Sequence, residues 1–357
     1  MANLEINTIL ATTKKTKPDE ANLGFGKYFT DHMFTMDYSD ELGWHDPKIT
    51  PYEPLQIEPA AMVFHYGQSV FEGLKAYKSS EGKVLLFRPW DNFKRLNISD
   101  ERMCIPYLDE EFALKALVEL IKVDVDWIPA SSGTSLYIRP FMIATEPSVK
   151  VMAAKNYKFL IILSPVGPYY PSGLAPIDIL VEDEYVRAVR GGIGAAKASA
   201  NYAASLKSQQ KAIQKGYAQV MWLDGLERKY IDEVGAMNVF FVINDELITP
   251  ELNGSILAGI TRDSVIKMAK SWGVKVTERK LSIAEVFAAA KDGSLKEAFG
   301  CGTAAVISPI KCLIMGDDKV QIADGNTGQL SNKLYDNLTG IQFGRVEDTF
   351  GWTKEVM

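Results

Sequence analysis

The stretch Arg190-Gly-Gly-Ile-Gly-Ala-Ala-Lys197-Ala-Ser-Ala-Asn-Tyr202 places one lysine among seven glycine or alanine residues. A Walker A motif fails because Ala196 and Ala198 stand where it needs Gly and Ser or Thr, and a dinucleotide-binding GxGxxG motif fails because Lys197 replaces its last Gly. Small neighbours let a flat group approach the amine, and a desolvated lysine is a Schiff-base nucleophile. The competing interpretation is a flexible turn that carries a solvated lysine.

Two segments that combine glycine with threonine are candidate anion sites. Leu257-Ala-Gly-Ile-Thr-Arg-Asp263 precedes a predicted helix, where backbone N–H groups and the Thr261 hydroxyl suit a phosphate, unless Thr261 is only a helix N-cap. Phe299-Gly-Cys-Gly-Thr-Ala-Ala305 offers backbone N–H groups that suit a carboxylate or an oxyanion, unless it is only a tight turn between strands.

Two further segments have a structural and a functional interpretation. Asp232 and Glu233 stand just before an apolar strand. Such a carboxylate is either a surface turn residue or the partner of a cationic ring nitrogen, which a pyridinium requires to act as an electron sink. The segment His65–Lys75 alternates aromatic residues with glycine, which suits the wall of a pocket or a buried core strand.

The composition excludes several classes of protein. The chain has 357 residues, a net charge of −6 and 47% hydrophobic residues, which predicts about two globular domains and no affinity for nucleic acid or an anionic membrane. Its three histidines and three cysteines lack the spacing of metal ligands, so we expect no metal site. Without a disulfide framework or a long apolar run, we expect a cytoplasmic protein that does not span a membrane.

Helical and alternating patterns place these segments on a mixture of helices and strands. Ser282 with Glu285 forms a capping box before one helix, and Asp109 can cap another. The predicted helices are Asp91–Met103, the segment after Asp109, Asn201–Lys215 and the segment after Ser282. The predicted strands are Lys83–Arg88, Thr134–Ala144, Tyr157–Leu163, Tyr217–Leu223 and Asn238–Ile243.

A stretch rich in proline and glycine, Ser164–Pro176, lies near the middle of the chain and is typical of a linker. It predicts an N-terminal α/β domain over residues 1–164, a linker over 165–180 and a C-terminal domain over 181–357.

Taken together and in order, these segments resemble the branched-chain amino acid aminotransferases. The resemblance extends from Phe25 to Trp352 and is carried by FGKYFTDHM, HYGQSVFEGLKAY, LFRPWDNFKRL, YIRPF, GAAKASANY, DEVGAMNVF, LAGITRDS and FGCGTAA. The family implies an α+β or α/β protein with the two-domain D-amino-acid-aminotransferase-like fold, fold type IV. In that fold a linker joins a smaller N-terminal domain to a larger C-terminal domain that binds pyridoxal 5′-phosphate (PLP).

The resemblance implies a role at PLP for each matching residue. Lys197 should form the Schiff base and carry the proton, Tyr202 should bind the phenolic oxygen, and Glu233 should pair with the pyridine nitrogen. The other implied cofactor contacts are Arg95, Ile260 and Thr261 at the phosphate, and Thr303.

The resemblance also implies a substrate site. The Thr303–Ala304 turn should bind the α-carboxylate, and Arg139 with Tyr137 should receive the side-chain carboxylate of glutamate. The other residues expected around the side-chain pocket are Phe25, Tyr66, Phe71, Tyr169 and Ala236. Val149 and Val151 should reach the pocket of a second subunit, which implies a homodimer.

The implied activity is ping-pong transamination. L-leucine, L-isoleucine or L-valine would react reversibly with 2-oxoglutarate to give branched-chain 2-oxo acids and L-glutamate. An apolar, aromatic slot suits the aliphatic side chains, and a polar group at its rim suits glutamate.

Two positions depart from patterns within the family. Ala305 and Ser308 stand where some members have a CxxC pair, so we expect no thiol switch. Ala236 stands where relatives have threonine or glycine, which affects substrate preference and leaves the chemistry unchanged.

Two other functions compete with this one. A D-amino acid aminotransferase or an aminodeoxychorismate lyase would share the fold, but the FGKYFTDHM and YIRPF segments and the length of the chain oppose both. A phosphate- or nucleotide-binding module without covalent chemistry would need neither Lys197 nor Glu233.

Overall fold

This computed structural model describes residues 4–169 and 174–357, which divide into two units. Among these residues, unit 1 contains 4–169, 196–199 and 340–357, and unit 2 contains 174–195 and 200–339. The chain therefore enters unit 1 three times, and one of these visits is the short segment that includes Lys197. Strands and helices are numbered below in chain order.

Unit 1 is built on a mostly antiparallel sheet. Its strands, among the described residues, are β1 (Asn7–Thr8), β2 (His32–Ser39), β3 (Gly43–Pro51), β4 (Ser69–Phe71), β5 (Leu74–Lys78), β6 (Val84–Phe87), β7 (Ser135–Ala144), β8 (Asn156–Val166) and β18 (Thr353–Glu355). Their order is β1-β3-β2-β8-β7-β5-β6-β18, and β4 pairs with β7.

The helices of unit 1 are α1 (Met62–Tyr66), α2 (Pro89–Arg102) and α3 (Glu110–Val123). Helix α3 begins as predicted, because the Asp109 carboxylate accepts a hydrogen bond from the Phe112 N–H at 2.9 Å. Its apolar residues recur at helical spacing and enter one core with residues of β2, β7 and β8. Leu117 and Leu120 are fully buried there, and burial of each such side chain contributes roughly 1.5–3 kcal/mol.

Helix α2 matters most for the site. Proline at its first position suits the helix start, since the missing N–H has no helical partner there. Asn92, Arg95 and Ser99 follow at spacings of three and four residues and are buried, so they lie on one face of the helix.

Unit 2 is built on a mixed sheet. Its strands, within the described part of the chain, are β9 (Ile177–Glu182), β10 (Gln219–Leu223), β11 (Ile231–Val234), β12 (Asn238–Ile243), β13 (Glu246–Thr249), β14 (Lys275–Glu278), β15 (Leu295–Gly302), β16 (Val306–Met315) and β17 (Asp318–Gln321). Their order is β11-β10-β9-β16-β15-β12-β13-β14, and β17 pairs with β16. The β9–β10, β9–β16 and β13–β14 pairs are parallel.

The later helices are α4 (Ser199–Gln214), α5 (Ile260–Ser271), α6 (Ile283–Lys291) and α7 (Gln329–Gln342). Ser282 caps α6 as predicted, because its hydroxyl oxygen accepts from the Glu285 N–H at 3.1 Å. The Glu285 carboxylate pairs with Arg279 at 2.5 Å, so the second half of the predicted capping box is replaced by an ion pair.

The domain boundaries differ from those predicted. Strand β18 pairs with β6, and Ala198 pairs with Val70, so segments 340–357 and 196–199 belong to unit 1. These two segments make unit 1 the larger of the two units. The predicted boundaries differ because long-range strand pairing cannot be read from local sequence patterns.

The start of the predicted linker is also different. Strand β8 continues to Val166 with Pro165 opposite Leu136, because a strand tolerates proline where the ladder does not need its N–H. Residues 170–173 of that linker lie outside the described residues. In the part of the chain that the structure describes, no helix is long and apolar enough to cross a membrane.

Candidate active site

The backbone of Lys197 is fixed from both sides in unit 1. Its N–H donates to the Ser99 Oγ at 2.9 Å, and its carbonyl accepts from the Phe71 N–H at 3.0 Å. Ala198 forms a bridge with Val70 next to it. Lys197 is thus held by backbone hydrogen bonds like a strand residue, whereas residues 190–195 before it form a turn.

The side chain of Lys197 lies among aromatic rings. It is half-buried between the buried Ala196 and Ala198, and its Nζ is 5.0 Å from the centre of the Phe71 ring. Three further rings belong to the same region. Phe25 packs edge-on against Tyr137 at 4.9 Å and against Tyr169 at 5.3 Å, and the Arg139 guanidinium lies over both the Tyr137 ring and the Phe71 ring. These contacts build one aromatic wall.

Arg139 lies beside this wall because side chains alternate between the two faces of β7. Tyr137 and Arg139 are half-buried on one face of the strand, while Leu136 and Ile138 between them enter the core. The Arg139 guanidinium lies 4.6 Å from the Phe71 ring centre and donates from Nη2 to the Tyr137 hydroxyl at 2.9 Å. Its Nε is buried and has no hydrogen-bond partner among the described residues.

A glycine makes room for Tyr137. A Cβ atom on Gly73 would lie 2.2 Å from the Tyr137 hydroxyl oxygen, so no larger residue fits at position 73 without displacing that ring. The phenol therefore rests directly on backbone.

Tyr66, Val149 and Val151 lie in a second group. The Tyr66 hydroxyl donates to the Val149 carbonyl, and Tyr66 is 39% exposed. Val149 and Val151 are 68% and 79% exposed, which is unusual for valine.

Arg95 forms a bidentate ion pair with Glu72, a residue that the sequence analysis did not single out. The Arg95 Nε and Nη2 donate to Glu72 Oε1 and Oε2 at 2.7 and 2.9 Å, and Asn92 also donates to Oε2 at 2.7 Å. Burial alone would raise the pKa of Glu72, but Arg95, Lys197 and Asn92 outweigh it and lower that pKa. The only signal in the sequence is a carboxylate inside the apolar run Val70-Phe-Glu-Gly-Leu74.

Asp100 is a second buried carboxyl group of unit 1. It is 1% exposed, and neither side-chain oxygen has a hydrogen-bond partner among the described residues. Burial and then the charge of Glu72 raise its pKa well above the usual value, which favours the neutral acid.

Lys75 is a second buried amine of unit 1. It lies on β5 opposite Tyr137, and burial lowers its pKa to about 8. This lysine is the natural control for any experiment on Lys197.

In unit 2, Glu233 is the central carboxylate. It lies on β11 and is 3% exposed, and its Oε1 accepts from the Leu257 N–H at 2.8 Å. Its Oε2 is 3.2 Å from the Arg187 Nε. Arg187 is also buried and donates to the Ser255 carbonyl, and the sequence analysis missed it because nothing in its neighbourhood marks it.

Helix α5 begins at the predicted anion site. Its N-cap is Gly259, which has no capping side chain, so Thr261 is not the N-cap and lies buried in the first turn. Glycine is required because a Cβ there would be 2.0 Å from the Asn238 Oδ1. A helix start without a side-chain cap presents N–H groups and a positive dipole end, which suit a phosphate.

The Thr303–Ala304 turn joins β15 to β16, and Ala236 lies in the turn between β11 and β12. The two turns are neighbours, because β12 pairs with β15 and a Cβ on Gly300 would be 2.9 Å from the Met237 Cε. Ala236 is exposed.

Tyr202 lies in the first turn of α4, five residues after Lys197. The segment before Lys197 and Tyr202 packs closely against Ser255 at Gly194, where a Cβ would be 2.2 Å from the Ser255 carbonyl oxygen. The structure thus groups Lys197, Arg95, Phe25, Phe71, Tyr137, Arg139 and Tyr169 in unit 1, and Tyr202, Glu233, Ala236, Ile260, Thr261, Thr303 and Ala304 in unit 2.

His32 is held in the interior. Its Nδ1 is 2.6 Å from Asp124 Oδ1, and its Nε2 accepts from the Ala11 N–H at 2.8 Å. Within residues 4–169 and 174–357, no group of three or more His, Cys, Asp or Glu side chains is arranged to hold a metal ion.

Comparison with known proteins identifies the family. Residues 69–313 match the model of amino-transferase class IV. The branched-chain-amino-acid aminotransferase 2 of Bacillus subtilis is 60% identical over 356 residues, which covers 100% of this chain and 98% of the relative.

Two solved structures share the fold. The Escherichia coli branched-chain amino acid aminotransferase superposes with a TM-score of 0.77 at 28% identity, over 92% of this chain and 99% of that one. The enzyme from Thermobaculum terrenum, solved in its PLP form, superposes at 0.74 with 23% identity, over 92% and 98%. The fold class, the family and the aminotransferase activity predicted from the sequence are confirmed, and a binding module without covalent chemistry is excluded. The chain belongs to the class IV aminotransferases, within the branched-chain-amino-acid aminotransferase family.

Proposed function

We propose that this aminotransferase uses PLP to transfer the amino group of L-leucine, L-isoleucine or L-valine to 2-oxoglutarate, giving branched-chain 2-oxo acids and L-glutamate. One observation carries the proposal. The Lys197 amine and the Arg139 guanidinium lie 5.0 and 4.6 Å from the centre of the same Phe71 ring. An amine for the chemistry and a cation for a second carboxylate thus border one apolar surface.

The donor set fits PLP. Lys197 would hold the cofactor through its Nζ, Tyr202 would donate to the phenolic oxygen, and the buried carboxylate of Glu233 would face the ring nitrogen. PLP, when bound, supplies the electron sink for the α-carbon. The remaining contacts would come from Thr303 and, at the phosphate, from Ile260, Thr261 and Arg95.

The ion pair with Glu72 determines how Arg95 could contact a phosphate. Its Nε and Nη2 donate to the two oxygens of Glu72. The pair with Glu72 would fix the plane of the guanidinium before the phosphate arrives, which lowers the cost of ordering it.

Lys197 would also move the proton. Once the substrate amine displaces it, its Nζ would take the α-proton as general base and then deliver it to the cofactor as general acid. The hydrogen bonds that fix the Lys197 backbone keep the amine within reach during both steps.

Two substrates would share one side-chain pocket. The rings of Phe25, Phe71, Tyr137 and Tyr169 suit the aliphatic chains of leucine, isoleucine and valine. Glutamate needs a partner for its second carboxylate, and the buried Arg139 Nε without a hydrogen-bond partner supports Arg139 as that partner.

The substrate α-carboxylate would be bound at the Thr303–Ala304 turn through backbone N–H groups. Ala236 in the neighbouring turn would influence which side chains are preferred. The first turn follows β15, whose residues Ala298–Cys301 are buried, and the second follows β11, whose four residues are all buried.

We further propose a homodimer in which Val149 and Val151 reach the pocket of the partner subunit, and Tyr66 closes the pocket beside them. The high exposure of the two valines supports a partner surface there. Sedimentation at several concentrations tests this, with Val149→Glu and Val151→Glu each expected to shift the protein toward monomer. Unchanged sedimentation of both variants would contradict it. The cytoplasmic location stays a prediction.

The absorbance spectrum of the purified protein tests the reaction. We expect a visible band of bound PLP that disappears with L-leucine or L-glutamate and persists with D-alanine. A response to D-alanine alone would contradict the proposed specificity.

Lys197→Ala should lose both the band and turnover. Lys75→Met is the matched control, because it removes the other buried amine of unit 1 and should keep the band. Loss of the band in Lys75→Met alone would reassign the covalent lysine.

A further inference from the structure

Unit 2 contains a cavity that the proposed reaction does not use. Its volume is about 260 Å³, and it lies between the loop 224–227, the start of β11 and the loop 250–256. Its lining includes none of the residues assigned to transamination. A cavity of this size admits a small metabolite, since a water molecule occupies only about 30 Å³ of liquid.

The wall of this cavity carries a buried carboxylate with an unused oxygen. Asp232 is 3% exposed, and its Oδ1 has no hydrogen-bond partner in the part of the chain that the structure describes. Its Oδ2 accepts from the Ser255 Oγ at 2.9 Å, but that hydroxyl also lies 2.7 Å from the Asn253 Oδ1 and has one proton to give. Burial raises the pKa of Asp232, and the Ser255 hydroxyl and the charge of Arg187 offset this effect only in part.

The other acidic residues of the lining are different. Asp224 accepts hydrogen bonds from the backbone N–H groups of residues 226, 227, 229 and 230, which satisfy it. Glu227 and Glu251 are exposed to solvent. Asp232 alone among these four combines burial with an oxygen that lacks a donor.

Cations and apolar side chains complete the lining. Arg190 and Lys280 are exposed at its border, and the Lys280 Nζ lies 5.1 Å from the centre of the Tyr230 ring. Val189, Ile231 and Ile256 contribute aliphatic surface. A buried anion, a cationic border and an aliphatic wall match the ammonium, the carboxylate and the side chain of one kind of molecule.

We propose that this cavity is a second binding site, distinct from the transamination site, for an α-amino acid with an aliphatic side chain. The ammonium group binds the Asp232 Oδ1, and the carboxylate binds Arg190 or Lys280. Glu233, the carboxylate assigned to PLP, is not part of the lining of this cavity.

Calorimetric titration of the full-length holoenzyme tests the proposal. The probe is α-methyl-L-leucine, which lacks the α-proton and so binds without transamination. We expect two binding events per chain in the unmodified protein and one in Asp232→Asn. A single event in the unmodified protein, or two events that persist in Asp232→Asn, would overturn the proposal.

A second variant avoids any loss of folding in Asp232→Asn. Arg190→Gln combined with Lys280→Gln changes only exposed side chains and should weaken the second event at least tenfold. Lys229→Gln is the matched control, because Lys229 lies 5.2 Å from the centre of the same Tyr230 ring and is not part of the lining. Equal affinities in the double variant and the control would also overturn the proposal.

The outcome is independent of the proposed reaction. If transamination of branched-chain substrates fails the spectral test, the event that depends on Asp232 should remain.

Discussion

Each unit buries one glutamate beside one arginine, but the two pairs are built differently. In unit 1, Glu72 receives two hydrogen bonds from Arg95 and one from Asn92, at 2.7–2.9 Å. In unit 2, Glu233 is 3.2 Å from the Arg187 Nε and accepts a backbone N–H of Leu257 at 2.8 Å. The first is a tight bidentate pair, and in the second the described guanidinium nitrogen lies farther from the carboxylate.

This difference indicates that one pair positions a side chain and that the other takes part in the reaction. A bidentate pair holds both partners in one plane and resists exchange of either partner. The described partners of Glu233 are a backbone N–H and a more distant guanidinium, and its proposed partner is the ring nitrogen of PLP. We therefore expect Glu72 to act mainly on stability and on the position of Arg95, and Glu233 mainly on turnover.

The largest expected effect is that of Glu72→Ala. It leaves the Arg95 guanidinium buried without its carboxylate, which should cost roughly 3–5 kcal/mol of unfolding free energy. Urea unfolding measures this. The control Glu119→Ala removes an exposed ion pair of α3 and should cost at most about 1 kcal/mol. Equal losses in both variants would refute the special status of the buried pair.

Glu233→Gln has the next largest expected effect, and it should lower turnover more than stability. Turnover with L-leucine should fall on the order of 100-fold, about 2.7 kcal/mol of barrier, because a neutral amide does not stabilise a cationic ring nitrogen. The control Glu297→Gln changes another carboxylate of unit 2, which accepts two backbone N–H groups at the start of α7, and should leave turnover intact. Unchanged turnover in Glu233→Gln would remove the role proposed for Glu233.

Arg187→Gln should have a smaller effect of the same kind. Without the guanidinium, Glu233 loses the cation at 3.2 Å that favours its ionised form, and we expect kcat to fall about tenfold with KM little changed, about 1.4 kcal/mol. Steady-state kinetics with L-leucine measure both constants. A rise in KM alone would instead place Arg187 in substrate binding.

The smallest effect is expected for Asp100→Asn, and it depends on pH. The raised pKa of Asp100 means that the folded chain keeps a proton that the unfolded chain releases near pH 4, so this residue makes stability fall as pH rises above that value. The lowered pKa of Glu72 has the opposite sign, and its contribution is lost as pH falls through the folded-state pKa.

Unfolding curves at pH 4 and pH 8 measure this difference. Asp100→Asn should match the unfolding free energy of the unmodified protein at pH 4 and exceed it at pH 8. Parallel behaviour at both values would show that Asp100 titrates normally.

The helix caps and the shared strand face could be predicted because they depend on residues close together in the sequence. Asp109 and Ser282 cap the helices that their spacing indicates, and Tyr137 with Arg139 share a strand face because strands alternate. Gly259 was overlooked as the N-cap of α5, since threonine is the commoner capping residue.

What could not be predicted depends on partners distant in sequence. Glu72 meets Arg95 across 23 residues, and its place in an apolar run is equally typical of a strand. The Arg187–Glu233 pair spans a longer gap with no motif around Arg187. The β-bridge between Ala198 and Val70 also connects two residues that no local sequence pattern relates.

The placement of residues 196–199 bears on how this enzyme could be split. A cut between residues 169 and 174 would leave the Phe71 N–H and the Ser99 hydroxyl on one fragment and the lysine that they hold on the other. The second fragment would also carry β18, the edge partner of β6. Neither fragment alone could form the lysine's setting, so the return of colour on mixing the two would report their reassembly.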